Sequence, residues 1–294
     1  MRLGPGSPKG SINRGVALSR RNVLQCLAAG MAMGAASVSA SEKRKIGLQL
    51  YTLRDLLKND FEGTLRNVAR FGYSEVEFAG ILGPDVRRTG ELLRSLGLGA
   101  PSLHLEYGNL RDKTGSSFDL AHSLGSRFVV CPWLDPPQRQ TIDDWKRICD
   151  ELNRIGELAA RAGLTLAYHN HDFEFADLTG GILPYDVLLS RTDERFVKFE
   201  LDVYWAARGN LNSARVLRAH PSRFRLLHLK DMATDGSTTE LGRGTIDFAG
   251  ILDAAFESGV QHVFVEQDIS AEPLRSIEIS IAFLRRQPHF AQGR

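Results

Sequence analysis

The sequence predicts an α/β fold: a (β/α)8 TIM barrel preceded by a cleavable twin-arginine signal peptide. Three observations predict it. From residue 46 onward, eight apolar, β-branched or aromatic runs alternate with eight longer amphipathic runs, the pattern of strand–helix units that close a parallel sheet. Gly72, Gly97, Gly125, Gly163 and Gly259 stand at helix-to-strand joins, where a left-handed residue ends a helix. His, Asp and Glu recur toward the C-terminal ends of the strands, the face that carries the site in barrels of this type. A doubly wound open sheet is the rival. It calls for fewer strands and a glycine loop after the first, yet that strand runs into Tyr51-Thr52-Leu53-Arg54.

Residues 1–40 hold five basic residues and no acidic one. Ser19-Arg20-Arg21-Asn22-Val23-Leu24 precedes a short apolar run, Cys26 to Ala36, which closes on Val38-Ser39-Ala40. That order of charge, apolar run and small residues is the pattern of an export signal, and the adjacent arginines indicate the twin-arginine route to the periplasm or beyond. The run is too short and too rich in Gly and Ala to anchor a chain in a bilayer. The domain expected to fold is therefore 41–294, with no membrane association after cleavage.

The whole chain carries 37 basic and 35 acidic residues; without the five leader bases the balance is 32 against 35, or −3 with His neutral. A slightly acidic body has no general attraction for nucleic acid. Cys131 and Cys149 read as buried free thiols. The remaining 254 residues suffice for one barrel, and the composition is compatible with a homo-oligomer.

Taken in order, the strands are expected at 46–53, 74–79, 99–107, 127–133, 164–171, 197–205, 224–231 and 263–267. The helices are expected at 61–71, 85–95, 117–124, 143–162, 185–191, 213–219, 248–258 and 274–286. The fifth strand ends in Tyr168-His169-Asn170-His171-Asp172-Phe173-Glu174-Phe175. Side chains two apart share a strand face, so His169 and His171 can point the same way. Later strands end in Asp202 (FELDVYW), His228 (LLHLKD) and Glu266 (VFVEQD). Imidazole with carboxylate suits one divalent metal ion: Mn, Co, Zn or Fe, with Mg as a harder alternative. Glu200, two residues before Asp202, is the rival inward carboxylate.

At these residues the chain resembles the sugar phosphate isomerase/epimerase family, the xylose-isomerase-like barrels. QLYTLR at 49–54, HLKD at 228–231, LGRGTIDF at 241–248 and VEQD at 265–268 carry the resemblance. It implies one divalent ion held by residues of strands five to eight, which here are His169, Asp202, His228 and Glu266. The family's usual fifth-strand ligand is Glu, so His169 is a departure, and the resemblance extends to the inosose dehydratases, which carry a related histidine-rich strand. Glu174 is an alternative ligand or catalytic group, and His171 an alternative ligand or substrate contact.

The resemblance implies a sugar isomerase or epimerase that abstracts a proton next to a carbonyl through an enediolate. Glu266 would move the proton, with Lys230 supporting the oxygens. A metal-bound imidazole cannot take Glu's place as a second proton carrier. That makes a lyase or dehydratase acting on a keto-sugar, keto-glycoside or inosose the alternative, and a non-catalytic exported sugar-binding barrel the second. Gln49, Tyr51, His104, Glu106, Trp133, Trp205 and Arg243 are the expected contacts to a small-molecule sugar or sugar derivative. Each has a bland reading: core aromatics, rim charges, or a turn.

Overall fold

A computed structural model describes residues 44–80, 82–83, 85–178 and 180–291; the leader read in residues 1–40 lies outside the described residues. Eight strands form a closed barrel: β1 (Gly47–Gln49), β2 (Glu75–Ala79), β3 (Gly99–His104), β4 (Phe128–Cys131), β5 (Thr165–His169), β6 (Val197–Asp202), β7 (Phe224–Leu229) and β8 (His262–Val265). Around the barrel the order is β1-β8-β7-β6-β5-β4-β3-β2, and every pairing is parallel. The five glycines expected to end helices all take positive φ, from 68° at Gly97 to 93° at Gly259.

The period-two pattern of the strands sorts side chains into two cores. Outward-facing Leu166, Tyr168, Leu227, Leu229, Val263 and Val265 join the main cluster beneath the helices. Inward-facing Phe128, Val130, Ala167, Leu226 and Phe264 form a separate apolar floor inside the barrel. Filling the interior with large side chains is what makes such a barrel a packed core. Gly47 is part of this fit: a Cβ there would lie 2.3 Å from the Phe264 ring. Two residues further along three of these strands come His169, His228 and Glu266. The polar site is therefore the next layer above the floor, placed by strand periodicity alone.

Seven of the eight strands are shorter than expected at their C-terminal ends; β2 ends at Ala79 as expected. β1 stops at Gln49, whose side chain accepts from Tyr51 N–H at 3.2 Å and starts a 3-10 turn, Leu50–Leu53. β6 stops at Asp202, whose Oδ1 accepts from the N–H groups of Tyr204 and Trp205, both at 3.0 Å, and caps the helix Val203–Arg208. After β3 the chain turns into the helix Tyr107–Asp112. After β7, Asp231–Met232 pairs antiparallel with Thr238–Thr239. Tyr51, Glu106, His171, Trp205, Lys230 and Glu266 thus sit just beyond strands. After β1 and β6, side-chain capping by Gln49 and Asp202 competes with the ladder and wins.

Candidate metal centre

Asp202, His228 and Glu266 come together. Ligating atoms of the three lie within 4.8 Å of one another, and all three residues are buried. His228 Nδ1 is 2.8 Å from Glu266 Oε2 and 4.0 Å from Asp202 Oδ2. His169 stands at the edge of this set, with Nε2 4.0 Å from Asp202 Oδ2. The donors fit a divalent cation. Asp202 Oδ1 is used by the helix cap, while Oδ2 is buried and faces the Lys230 ammonium at 3.1 Å; an inward carboxylate oxygen that already meets a positive charge suits a metal. Two imidazoles and two carboxylates are a set expected for Zn, Mn, Co or Fe.

Lys230 reaches the same carboxylates. Its Nζ lies 3.1 Å from Asp202 Oδ2, 3.0 Å from Glu266 Oε2 and 3.1 Å from Asp268. Asp268 was not singled out in the sequence; its spacing of two from Glu266 was the available signal. Burial opposes the charge on Lys230, but Asp202, Glu266 and Asp268 hold its ammonium well above the usual range. Burial likewise opposes ionisation of Glu266, and Lys230 with His228 overcomes it, so that carboxylate stays ionised. At Asp202 burial dominates and lifts the carboxyl to about 6, against the pull of Lys230 and His228.

A second ring of polar groups lies among the inward side chains of β2, β3, β5 and β6. Glu77 Oε2 is 2.6 Å from His228 Nε2 and 3.0 Å from His104 Nε2, and accepts from Gln49 Nε2 at 2.7 Å. Glu200 Oε2 is 2.8 Å from His104 Nε2, 3.2 Å from His169 Nδ1 and 3.2 Å from His228 Nε2. Glu200 and Asp202 thus both point inward, as residues two apart on one strand must. Burial alone would deprotonate His104, yet Glu77 and Glu200 raise it to about 9. Gln49, expected to contact substrate, is fully buried and spends its amide on Glu77 and Tyr51.

Three other expected residues lie away from this centre. Glu174 packs behind β5, accepting from the Tyr168 hydroxyl at 2.7 Å and from His171 N–H at 2.9 Å; burial pushes its carboxyl up to about 8. Tyr168 neighbours inward His169 and so faces out, and it takes Glu174 with it. Glu106 is exposed at the start of its helix. Arg243 lies beside Glu240, at 3.4 Å, on a separate cavity of about 480 Å³ shared with Gln267 and Arg275. Its loop is held by Asp231, which accepts from Gly242, Gly244 and Ile246 N–H. A Cβ at Gly244 would lie 2.2 Å from Asp231 Oδ1, so the second glycine of that loop is a steric requirement.

The aromatics form a rim. The Trp133 and His171 rings meet edge to face at 4.9 Å, and His171 lies 5.4 Å from Trp205. Lys230 Nζ is 5.6 Å from the Trp205 ring. Tyr51 and Trp133 are each 42 % exposed, high for rings of their size. Burial and the Lys230 charge lower His171 to about 3, so its imidazole is neutral.

The profile of the family described as xylose isomerase-like TIM barrel matches residues 65–287. The chain is 24 % identical over 259 residues to the inosose dehydratase of Clostridium botulinum (strain Alaska E43 / Type E3), covering 74 % of this chain and 86 % of that enzyme. It is similar to a solved sugar phosphate isomerase/epimerase from Parabacteroides distasonis ATCC 8503, with a TM-score of 0.75 and 27 % identity over 86 % of this chain and 97 % of that one. It shares its fold with the IOLI protein solved with a bound zinc atom, at a TM-score of 0.65 and 18 % identity over 82 % of this chain and 96 % of that one. With a match across most of the closed barrel, the chain belongs to the xylose isomerase-like TIM barrel family.

Proposed function

We propose that this chain is a metal-dependent enzyme that removes a proton next to a carbonyl of a hydroxyl-rich ring and expels the β-oxygen, as a dehydratase or lyase. The observation that carries this reading is the one-sided placement of proton carriers. Glu266 is the carboxylate of the three-residue set that is held ionised. On the β5 side stands His169, whose lone pair is committed if it ligates. Glu77 and Glu200 are fully buried beneath the imidazoles, and Asp268 lies outside the three-residue set. Epimerisation calls for proton exchange on both faces of one carbon; elimination calls for one base and an acid for the leaving group.

A bound divalent ion supplies Lewis acidity and a template for the carbonyl and its neighbouring hydroxyl. Glu266 takes the proton and, once protonated, gives it to the departing β-oxygen, which leaves as water or an alcohol. Lys230, fixed by three carboxylates, faces the developing negative charge on oxygen. Trp133, Trp205 and His171 give the ring an aromatic rim. The inosose dehydratase likeness supports this outcome, and export by the leader expected in residues 1–40 would favour an unphosphorylated substrate, such as a keto-glycoside or an inosose. The likeness to the sugar phosphate isomerase/epimerase favours a second reading, in which the proton returns and nothing leaves.

The test is to incubate the metal-loaded protein in heavy water with an inosose and with a 3-keto-glycoside. Loss of the hydrogen from the carbon beside the carbonyl together with release of water or aglycone is expected. Exchange with an epimer and no release would select the second reading. Neither exchange nor release with either substrate would overturn both.

A further inference from the structure

We infer that Glu200 and Glu77 are positioning residues that select which ring nitrogen of His169 and His228 faces the metal. The inference rests on the metal-centre reading above but not on the reaction. An imidazole ligates through one nitrogen, and the partner of the other nitrogen sets the tautomer. For His169 the two sides differ plainly. Nδ1 lies 3.2 Å from Glu200 Oε2, whereas Nε2 faces Asp202 Oδ2 at 4.0 Å, too long for a hydrogen bond and suited to two ligands of one ion. A carboxylate at Nδ1 keeps the proton there and leaves the Nε2 lone pair for the cation. For His228 both nitrogens meet carboxylates, Nε2 at 2.6 Å from Glu77 and Nδ1 at 2.8 Å from Glu266, and it is Nδ1 that also faces Asp202, so Glu77 holds the nitrogen turned away from the metal set.

The layer brings its donors close: ligand atoms of His104, His169, Glu200 and His228 lie within 4.8 Å of one another. Glu77 and Glu200 are fully buried, and each leaves its Oε1 without a hydrogen bond while every close partner gathers on Oε2. His104 bridges the two Oε2 atoms, and Gln49 donates to the Glu77 one. A protonated His104 balances one of the two buried carboxylates and holds both under the ligating rings. This gives a physical account of the fifth-strand departure. A histidine can stand where a glutamate is usual because a carboxylate two residues before Asp202 lies beneath it to fix its tautomer.

The test uses metal-free protein with 15N-labelled histidine. Long-range nitrogen–proton correlation is expected to show His169 as the Nδ1–H tautomer. In Glu200→Leu the Nε2–H form should appear, with affinity for Co or Zn reduced about 10- to 100-fold. Glu200→Gln keeps an acceptor oxygen and should recover most of both properties. Because the Leu variant removes a buried charge, its circular dichroism is checked, and the wild-type and Gln arms stand without it. A wild-type His169 carrying its proton on Nε2 would overturn the inference, as would unchanged affinity in a folded Glu200→Leu. A second tightly bound equivalent of metal in wild type, lost in Glu200→Gln, would also overturn it by making the layer itself a cation site. None of these readouts depends on turnover, so a wrong reaction assignment would not disturb them.

Discussion

The Asn170 side chain pairs with both backbone groups of Asp202: Asp202 N–H donates to Asn170 Oδ1 at 3.0 Å, and Asn170 Nδ2 donates to the Asp202 carbonyl at 3.3 Å. The β5–β6 ladder ends at the pair His169 and Glu200, so an amide side chain continues it by one rung. Asn170→Ala would leave two buried backbone groups without partners, at a cost of about 1–3 kcal/mol. A lower melting temperature and weaker metal retention against a chelator are expected. Normal values for both would show that Asp202 is held by its helix cap alone.

Lys230 stands among three carboxylates. Lys230→Met removes the cation and leaves their charges facing one another, a loss on the order of 3–5 kcal/mol for a broken buried pair. The metal-free variant should melt well below wild type, and added Zn should restore part of the difference by supplying positive charge. Turnover should be lost even when metal is bound. A melting curve insensitive to both the substitution and the ion would contradict this electrostatic role.

Glu266→Gln keeps the size of the side chain and a ligand oxygen but removes the base. Carbon–hydrogen exchange should fall about 100- to 10,000-fold while the protein stays folded. Wild-type exchange in this variant would move the base elsewhere.

Metal uptake should strengthen as pH rises. Burial lifts Asp202 to about 6. In the metal-free protein below that pH it is protonated, and the proton must leave before the oxygen can ligate. His228 acts in the same direction, since Glu200, Glu266 and Glu77 outweigh burial and raise it well above its ordinary value. Competition against a chromophoric chelator should therefore show tighter binding at about pH 7.5 than at about pH 5, with proton release on binding. Equal affinity at both would be inconsistent with these environments.

Glu174 offers a contrast. It bonds Tyr168 and the His171 backbone on the outer side of β5, so Glu174→Gln should keep turnover within a few-fold. Glu174→Leu should lower the melting temperature by stranding the buried Tyr168 hydroxyl, a penalty of about 1–3 kcal/mol. Loss of metal or of exchange in a stable Glu174→Gln protein would return this residue to the site.

Much of this molecule is legible before any coordinates. The alternation of strand and helix runs, the glycines at helix ends and the convergence of Asp202, His228 and Glu266 all follow from periods that are local in the chain. The strand ends were not legible, because Gln49 and Asp202 use side-chain caps to begin helical turns where the composition still reads as strand. Gln49 looked like a substrate contact because polar residues at strand ends usually open on the mouth. In the fold it belongs to a lower ring with Glu77.

By itself the sequence determined the barrel, the end of it where polar side chains gather and the three residues that converge there, since strand periodicity repeats those choices every two residues. Only the tertiary structure decided which nitrogen of each histidine faces inward, which carboxylates lie beneath the imidazoles and which acid holds Lys230. Those outcomes depend on distances of about 3 Å across the barrel, between residues as far apart in the chain as Glu77 and His228, 151 positions. No local pattern encodes such a distance.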